Sequence, residues 1–300
     1  MRALALSTAL LAVNTLAQSN NQVECADGLY MIVARGTGED EGTGITGEVA
    51  QDVANRVNGS IIEPLDYPAT FTDPFYEDSE SAGVEALTSA LTTYHDACPD
   101  GKIAVFDKLL TTRQGGQVTI DTICGGSGGS FPDNRPISTD LVQDSVVAII
   151  VFGDPSHVAN ASYNVGTGIN DGIFEREDIK LCEDNYSDII RSYCDTGDRY
   201  CDRGRDEDVH GSYVSKYGDE IVDFVVEQYE SAARGDSSTT ATGTSTAATS
   251  TAAVETATET TSEDAAATPT AVPANGAAER VPAVVFAIIP FIVAVTGILG

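Results

Sequence analysis

Two residues late in the chain are spaced for proton transfer. Asp198 lies in Ser192-Tyr193-Cys194-Asp195-Thr196-Gly197-Asp198-Arg199-Tyr200-Cys201, and His210 follows it by twelve positions. An acid followed by a histidine late in an α/β chain is the order of a hydrolase triad whose nucleophile comes first. In such a triad the carboxylate fixes the imidazole tautomer and stabilises the imidazolium formed when the histidine takes the nucleophile's proton. Spacing alone leaves a plainer reading open, because Asp198 is one of 46 acidic residues and His210 one of three histidines. A serine is offered by Gly125-Gly126-Ser127-Gly128-Gly129, a literal G-x-S-x-G. That run follows a helical pattern rather than a strand and leads into Phe131-Pro132-Asp133-Asn134, so it reads as a flexible loop. His95 and His157 read as structural or surface residues, and only His157, after Gly153-Asp154-Pro155, has a claim to border a cleft. The acids Asp206-Glu207-Asp208 before His210 read as a solvated loop, since exposed charges are screened within ~8–10 Å at ordinary salt.

Such groups need a scaffold that brings distant segments to one edge. Apolar β-rich runs predict strands over Leu29 to Ala34, Ile61 to Leu65, Lys102 to Phe106, Val146 to Phe152 and Ile189 to Tyr193. Between and after them, Thr46 to Val57, Glu80 to His95, Gln117 to Ile123 and Tyr213 to Tyr229 predict helices. Alternating strands and helices imply an α/β fold with a parallel sheet covered on both faces, because parallel strands need crossover connections. Chemistry in such sheets gathers at the carboxyl ends of the strands.

Several ordered motifs resemble the cutinase and acetylxylan esterase family of the α/β-hydrolase superfamily, over about Cys25 to Tyr229. They are Cys98-Pro99-Asp100-Gly101-Lys102-Ile103 leading a strand, Gln114-Gly115-Gly116 opening a helix and Gly153-Asp154-Pro155 after the next strand. Ser192-Tyr193-Cys194-Asp195 with Asp198 and Cys201 follows, then His210-Gly211-Ser212-Tyr213 and Tyr217-Gly218. The resemblance implies a minimal, three-layer α/β/α hydrolase sandwich with a small, mainly parallel five-stranded sheet, and serine-dependent ester hydrolysis. It implies Asp198 as the acid and His210 as the base. Thr37 would contribute its backbone N–H and hydroxyl, and Gln114 its backbone N–H, to an oxyanion hole. It also implies disulfides Cys25 with Cys98, Cys194 with Cys201 and Cys124 with Cys182. The Tyr200-Cys201, His210 to Tyr213 and Leu65-Asp66-Tyr67-Pro68-Ala69 contexts look closer to acetylxylan esterases, so acetylated plant polysaccharide is the first substrate expected and cutin-like polyester or short-chain esters the second. A cutinase would surround its site with more exposed aliphatic residues. This chemistry needs no cofactor and no metal, and the chain is expected to act as a monomer.

One departure concerns the nucleophile. The family reads strand, then Gly-Tyr-Ser-Gln-Gly-Gly, with the serine on a strained turn. Here Phe106 is followed by Asp107-Lys108-Leu109-Leu110-Thr111-Thr112-Arg113 before Gln114-Gly115-Gly116, seven residues where three are expected, with Arg113 in the serine's place. A guanidinium stays protonated and attacks nothing. Thr111 and Thr112 are hydroxyls one or two places off the required position and face elsewhere. Either the chain is an inactive relative retained for binding, or its sequence carries a misplaced exon junction. The confinement of the disruption to Asp107 through Arg113 favours the second.

The rest of the chain speaks of export. Arg2, an apolar run from Ala3 to Val13 and Thr15-Leu16-Ala17 predict a signal peptide over 1–17, too short to span a bilayer, which takes ~20 apolar residues. Export makes disulfides the expected state of the six cysteines, none of which shows C-x-x-C spacing. The folded domain is expected over 18–235. A Ser/Thr/Ala-rich stalk over 236–280 is too polar to pack and suits O-glycosylation. An apolar tail over 281–300 reads as a GPI-attachment signal with Asn275 as the attachment residue, although its polar spacer is shorter than the usual ~8–12 residues. An ordinary transmembrane helix is the alternative, but no Lys or Arg follows the tail to hold a cytoplasmic end. These features imply a membrane-held extracellular protein, with sequons at Asn58, Asn160 and Asn185. The formal net charge is -30, from 16 basic and 46 acidic residues. Removing Arg2, and the six acids and Arg280 beyond Gly235, leaves the domain 40 acids and 14 bases, a net of -26. So acidic a domain has no use for nucleic acid, whose phosphates are held by clustered Lys and Arg.

Overall fold

In the computed structural model, residues 23–107, 114–174 and 176–235 are described. The expected signal peptide, stalk, tail, attachment residue Asn275 and Arg113 lie outside them. The elements run β1 (Leu29–Ala34), α1 (Thr46–Arg56), β2 (Ile61–Pro64), α2 (Tyr76–Ala97), β3 (Lys102–Asp107), α3 (Gln114–Cys124), α4 (Thr139–Ser145), β4 (Val146–Phe152), β5 (Asn164–Val165), α5 (Lys180–Asn185), β6 (Ile190–Tyr193), α6 (Glu207–His210) and α7 (Tyr213–Ala233).

The two-residue period of the strands sorts their side chains between two cores. Leu29, Met31 and Val33 of β1, Ala104 and Phe106 of β3 and Ala148, Ile150 and Phe152 of β4 face α1 and α7, meeting Val49, Val53, Ile221 and Val225. Ile32, Val105, Ile149 and Val151 face the opposite way, onto Val84, Leu87 and Leu91 of α2 and Val118 and Ile123 of α3. The outcome is three layers, with the sheet buried between two sets of helices.

The sheet order is β2-β1-β3-β4-β6-β5, and every pairing among the described residues is parallel. It therefore has six strands where the resemblance implies five. The extra strand is the edge pair Asn164 and Val165, set against Ser192 and Tyr193, and two residues carry no alternation to read. The short helices α4, α5 and α6 were equally absent from the sequence pattern, which needs longer runs. Helix α3 begins at Gln114, where the Gln114-Gly115-Gly116 motif opens a helix and three residues before the pattern's Gln117. Gly115 and Gly116 weaken helix propensity, but both are needed here: a Cβ on Gly115 would overlap the Asp107 carboxylate, and one on Gly116 would come within 2.8 Å of it. Helix α2 stops at Ala97, ahead of Cys98-Pro99, because a residue before proline disfavours the helical region.

Three disulfides join Cys25 to Cys98, Cys124 to Cys182 and Cys194 to Cys201. These are the pairs that the resemblance implies. Each closes a loop in the unfolded chain and is worth on the order of 2–4 kcal/mol. The third has a local task, since it brackets the loop that carries Asp198.

Candidate active site

After β6 the chain turns through Cys194 to Cys201, and three restraints shape this turn. The disulfide closes its ends. Gly197 takes φ +95°, a conformation that favours glycine. The Asp202 carboxylate accepts from the backbone N–H groups of Gly197 (2.8 Å), Ile169 (2.8 Å) and Asn170 (2.9 Å). Burial opposes ionisation of Asp202, but those N–H groups prevail and hold its carboxyl below the usual range.

Asp198 is fully buried at the centre of the turn. Its Oδ1 accepts from the N–H of Tyr200 (2.7 Å) and of Cys201 (3.1 Å). Its Oδ2 accepts from the Tyr213 hydroxyl (2.7 Å) and lies 2.9 Å from His210 Nδ1. Buried polar groups cost free energy unless bonded, and this carboxylate has four donors. The bond to Nδ1 places the ring proton there and leaves Nε2 as the basic nitrogen. The His210 and Tyr200 rings meet edge to face, with centroids 4.3 Å apart and planes at 70°.

His210 is the last residue of α6, and the acids before it are exposed, as expected, but cap and open that helix rather than forming a loop. Asp206 caps that helix, accepting from the N–H of Asp208 (3.0 Å) and Val209 (3.3 Å), while Glu207 pairs with Arg199. The cap fixes the turn from which the imidazole projects.

Thr37 lies just beyond β1 and Gln114 opens α3 just beyond β3. These strands are neighbours in register Ala34 to Asp107, so both residues stand at the same carboxyl edge. Thr37 is buried. The Gln114 side chain is occupied in holding the loop before α2: Oε1 accepts from Ser79 Oγ (3.0 Å), and Nε2 donates to the carbonyls of Tyr76 (2.7 Å) and Thr70 (3.1 Å). Its backbone N–H is among the first four of α3, which the helix itself leaves without an acceptor. Arg113, immediately before it, lies outside the described residues.

Ser127 does not belong to the site, and its loop is packed where sequence suggested flexibility. It is fully buried, accepts from Gln117 Nε2 (2.9 Å) and donates to Asp121 Oδ2 (3.0 Å). Asp121 is ion-paired with buried Arg176, which also donates to the Gly125 carbonyl (2.5 Å). Glu80 is buried beside them, and burial first, then the charge of Asp121, pushes its carboxyl up to about 9. His157 is buried among Asp154, Asp171, Asp202 and Asp198, with burial lowering its basicity, so it is no surface residue. His95 Nδ1 bonds to Ser145 Oγ at 2.7 Å. Asn58, Asn160 and Asn185 are all exposed. Among the described residues no three His, Cys, Asp or Glu side chains are grouped to hold a metal ion.

Two contributions went unread in the sequence: that of Tyr213, noted only within the motif after His210, and that of Asp202. Tyr213 sits three places after His210 in the first turn of α7, a spacing that could have drawn attention to it. Nothing marked Asp202 out among so many acids.

A parallel three-layer sandwich with a buried Asp–His pair at the carboxyl edge of its sheet defines an α/β-hydrolase. The cutinase family model matches residues 25–229. The chain is 30% identical to an acetylxylan esterase of Hypocrea jecorina, over 81% of this chain and 82% of that protein. It is also 30% identical to cutinase 11 of Verticillium dahliae, over 73% and 75% respectively. The solved catalytic core domain of acetyl xylan esterase from Trichoderma reesei superposes with a TM-score of 0.62 at 30% identity, covering 68% of this chain and all of that one. This chain belongs to the cutinase family of ester hydrolases.

Proposed function

We propose that the protein is an exported carboxylic-ester hydrolase of the acetylxylan esterase type, held at the cell surface by a lipid anchor. Its nucleophile serine is missing from the sequence through a misplaced exon junction. The carrying observation is the buried Asp198–His210 pair, complete with its supporting donors, while the departure from the family is confined to Asp107 through Arg113. In this reading a serine directly before Gln114 attacks the ester carbonyl and His210 Nε2 takes its proton. Asp198 stabilises the imidazolium, and the backbone N–H groups of Thr37 and Gln114 receive the oxyanion. The histidine then passes its proton to the leaving alcohol, and water activated by the same nitrogen releases the acid.

The relatives favour acetylated plant polysaccharide as the substrate. A cutin-like polyester is favoured by another observation. Among the described residues, the exposed large hydrophobics are Phe71, Phe75 and Ile169. Phe71 and Phe75 follow the carboxyl end of β2 and Ile169 that of β5, the two outermost strands, so they flank from opposite sides the carboxyl end of the sheet, where Asp198 and His210 also stand. Arg113 itself favours a different reading, an inactive relative acting as a cell-wall or surface binding protein. Transcript reads spanning Phe106 to Gln114 decide between active and inactive readings: a transcript restoring a serine before Gln114 supports the enzyme, and an unbroken one encoding Asp107 to Arg113 rules out the junction error.

A further inference from the structure

Both oxygens of the Asp198 carboxylate are used, but for different ends. Oδ1 is anchored to the backbone by the N–H groups of Tyr200 and Cys201, and the loop is held besides by the Cys194–Cys201 disulfide and by Asp202. Oδ2 is shared between His210 Nδ1 and the Tyr213 hydroxyl. The Asp195 N–H donates to that same hydroxyl at 2.9 Å, which directs the phenolic hydrogen toward Asp198. The Tyr213 ring is buried, stacked parallel to Tyr217 and tilted against Phe152. Burial, then the Asp198 charge, raises the phenol far above its ordinary value, so the hydroxyl keeps its proton across the working pH range.

We infer that Tyr213 is a positioning residue for the Asp198–His210 pair: by donating to the oxygen that faces Nδ1, it orients that oxygen and draws negative charge from it, setting the basicity of His210. This rests on the reading of the pair as the reaction's acid and base. Two donors on one oxygen compete for its charge. Without the phenol, the carboxylate keeps its Oδ1 anchors and presents a more negative Oδ2 to the imidazole, which then holds its proton more tightly. Among the described residues, other titratable groups near the pair include Tyr200 against the His210 ring, His157 and Asp202 beside Asp198, Asp195 beside Tyr213, Arg199 beside Tyr200, and Asp206, Glu207 and Asp208 at the histidine's own helix. Among the described residues only Tyr213 shares Oδ2 with the imidazole.

The test is the titration of His210 followed by NMR on the full chain. Tyr213→Phe should raise the midpoint by roughly 0.5–1 pH unit, and 3-fluorotyrosine at position 213, a stronger donor with the same ring, should lower it. Tyr217→Phe removes a hydroxyl that bonds Asp195 Oδ1 (3.0 Å) rather than Asp198 and should leave it in place. An unchanged midpoint with both Tyr213 replacements, or a fall in Tyr213→Phe, overturns the inference. If Tyr213→Phe does not fold, the fluorotyrosine chain decides alone. The titration needs no turnover, so a chain without esterase activity defeats the functional reading while this result still stands or falls by itself.

Discussion

His210 Nδ1 lies 2.9 Å from Asp198 Oδ2 with both side chains buried. The pair is assembled by segments that are short in sequence but tightly stapled: a disulfide turn after β6, a capped one-turn helix, and the first residue of α7. Such a constellation restrains the imidazole in one tautomer and one direction before any substrate arrives. Preorganisation of this kind is what makes an acid–base pair effective.

Ser127→Ala separates the literal G-x-S-x-G run from the chemistry. The substitution strands Gln117 Nε2 and Asp121 Oδ2 in the buried network, and a stranded buried polar group costs about 1–3 kcal/mol. Thermal unfolding should occur at a lower temperature while ester turnover per folded molecule is unchanged; a total loss of turnover in folded protein would make Ser127 the nucleophile.

Glu80 gives the domain a pH-dependent stability. Burial and the neighbouring Asp121 push its carboxyl up to about 9 from 4.5, with Arg176 the opposing charge and Asp154 acting on Asp121. A raised acid favours the folded state fully below its unfolded value and loses that contribution as pH rises through the folded one. The melting temperature should therefore fall between about pH 5 and pH 9, and Glu80→Gln should flatten that slope. An equal slope in the variant assigns the fall to other groups.

The exposed hydrophobics flanking the sheet's carboxyl end predict how chain length affects catalysis. Replacing Phe75 and Ile169 by serine should raise KM for long-chain esters several-fold, leave p-nitrophenyl acetate hydrolysis nearly unchanged, and leave stability within about 0.5 kcal/mol. Equal effects on long and short esters would remove these residues from substrate binding.

Anchoring is tested on cells. Phosphatidylinositol-specific phospholipase should release the protein into the soluble fraction, and protein that stays with the membrane contradicts the lipid anchor.

What could be read in the sequence follows from how each element is stabilised. β1 and β4 were legible to the residue, because parallel strands buried on both faces are uninterrupted apolar runs. The start of α3 was legible in the Gln114-Gly115-Gly116 motif but not in the helical pattern, because Gly115 and Gly116 answer the close approach of Asp107 rather than local propensity. β5 exists only as a partner of β6 and has no signature of its own. At the site, Asp198 and His210 stood out by order and motif. Tyr213 appeared only as the end of the motif after His210, and its role was not legible, because its hydroxyl reaches Asp198 across the turn between β6 and α7. The burial of Ser127 was equally illegible, since it depends on Asp121 and Gln117 lying one and two helical turns back on α3.

Whether His210 drives ester hydrolysis decides the functional assignment. The direct measurement is p-nitrophenyl acetate turnover by secreted protein made from the sequenced transcript, beside its His210→Ala variant. Turnover is expected, and His210→Ala should lower it by at least about 10³-fold. Turnover no greater than that of His210→Ala would contradict the assignment.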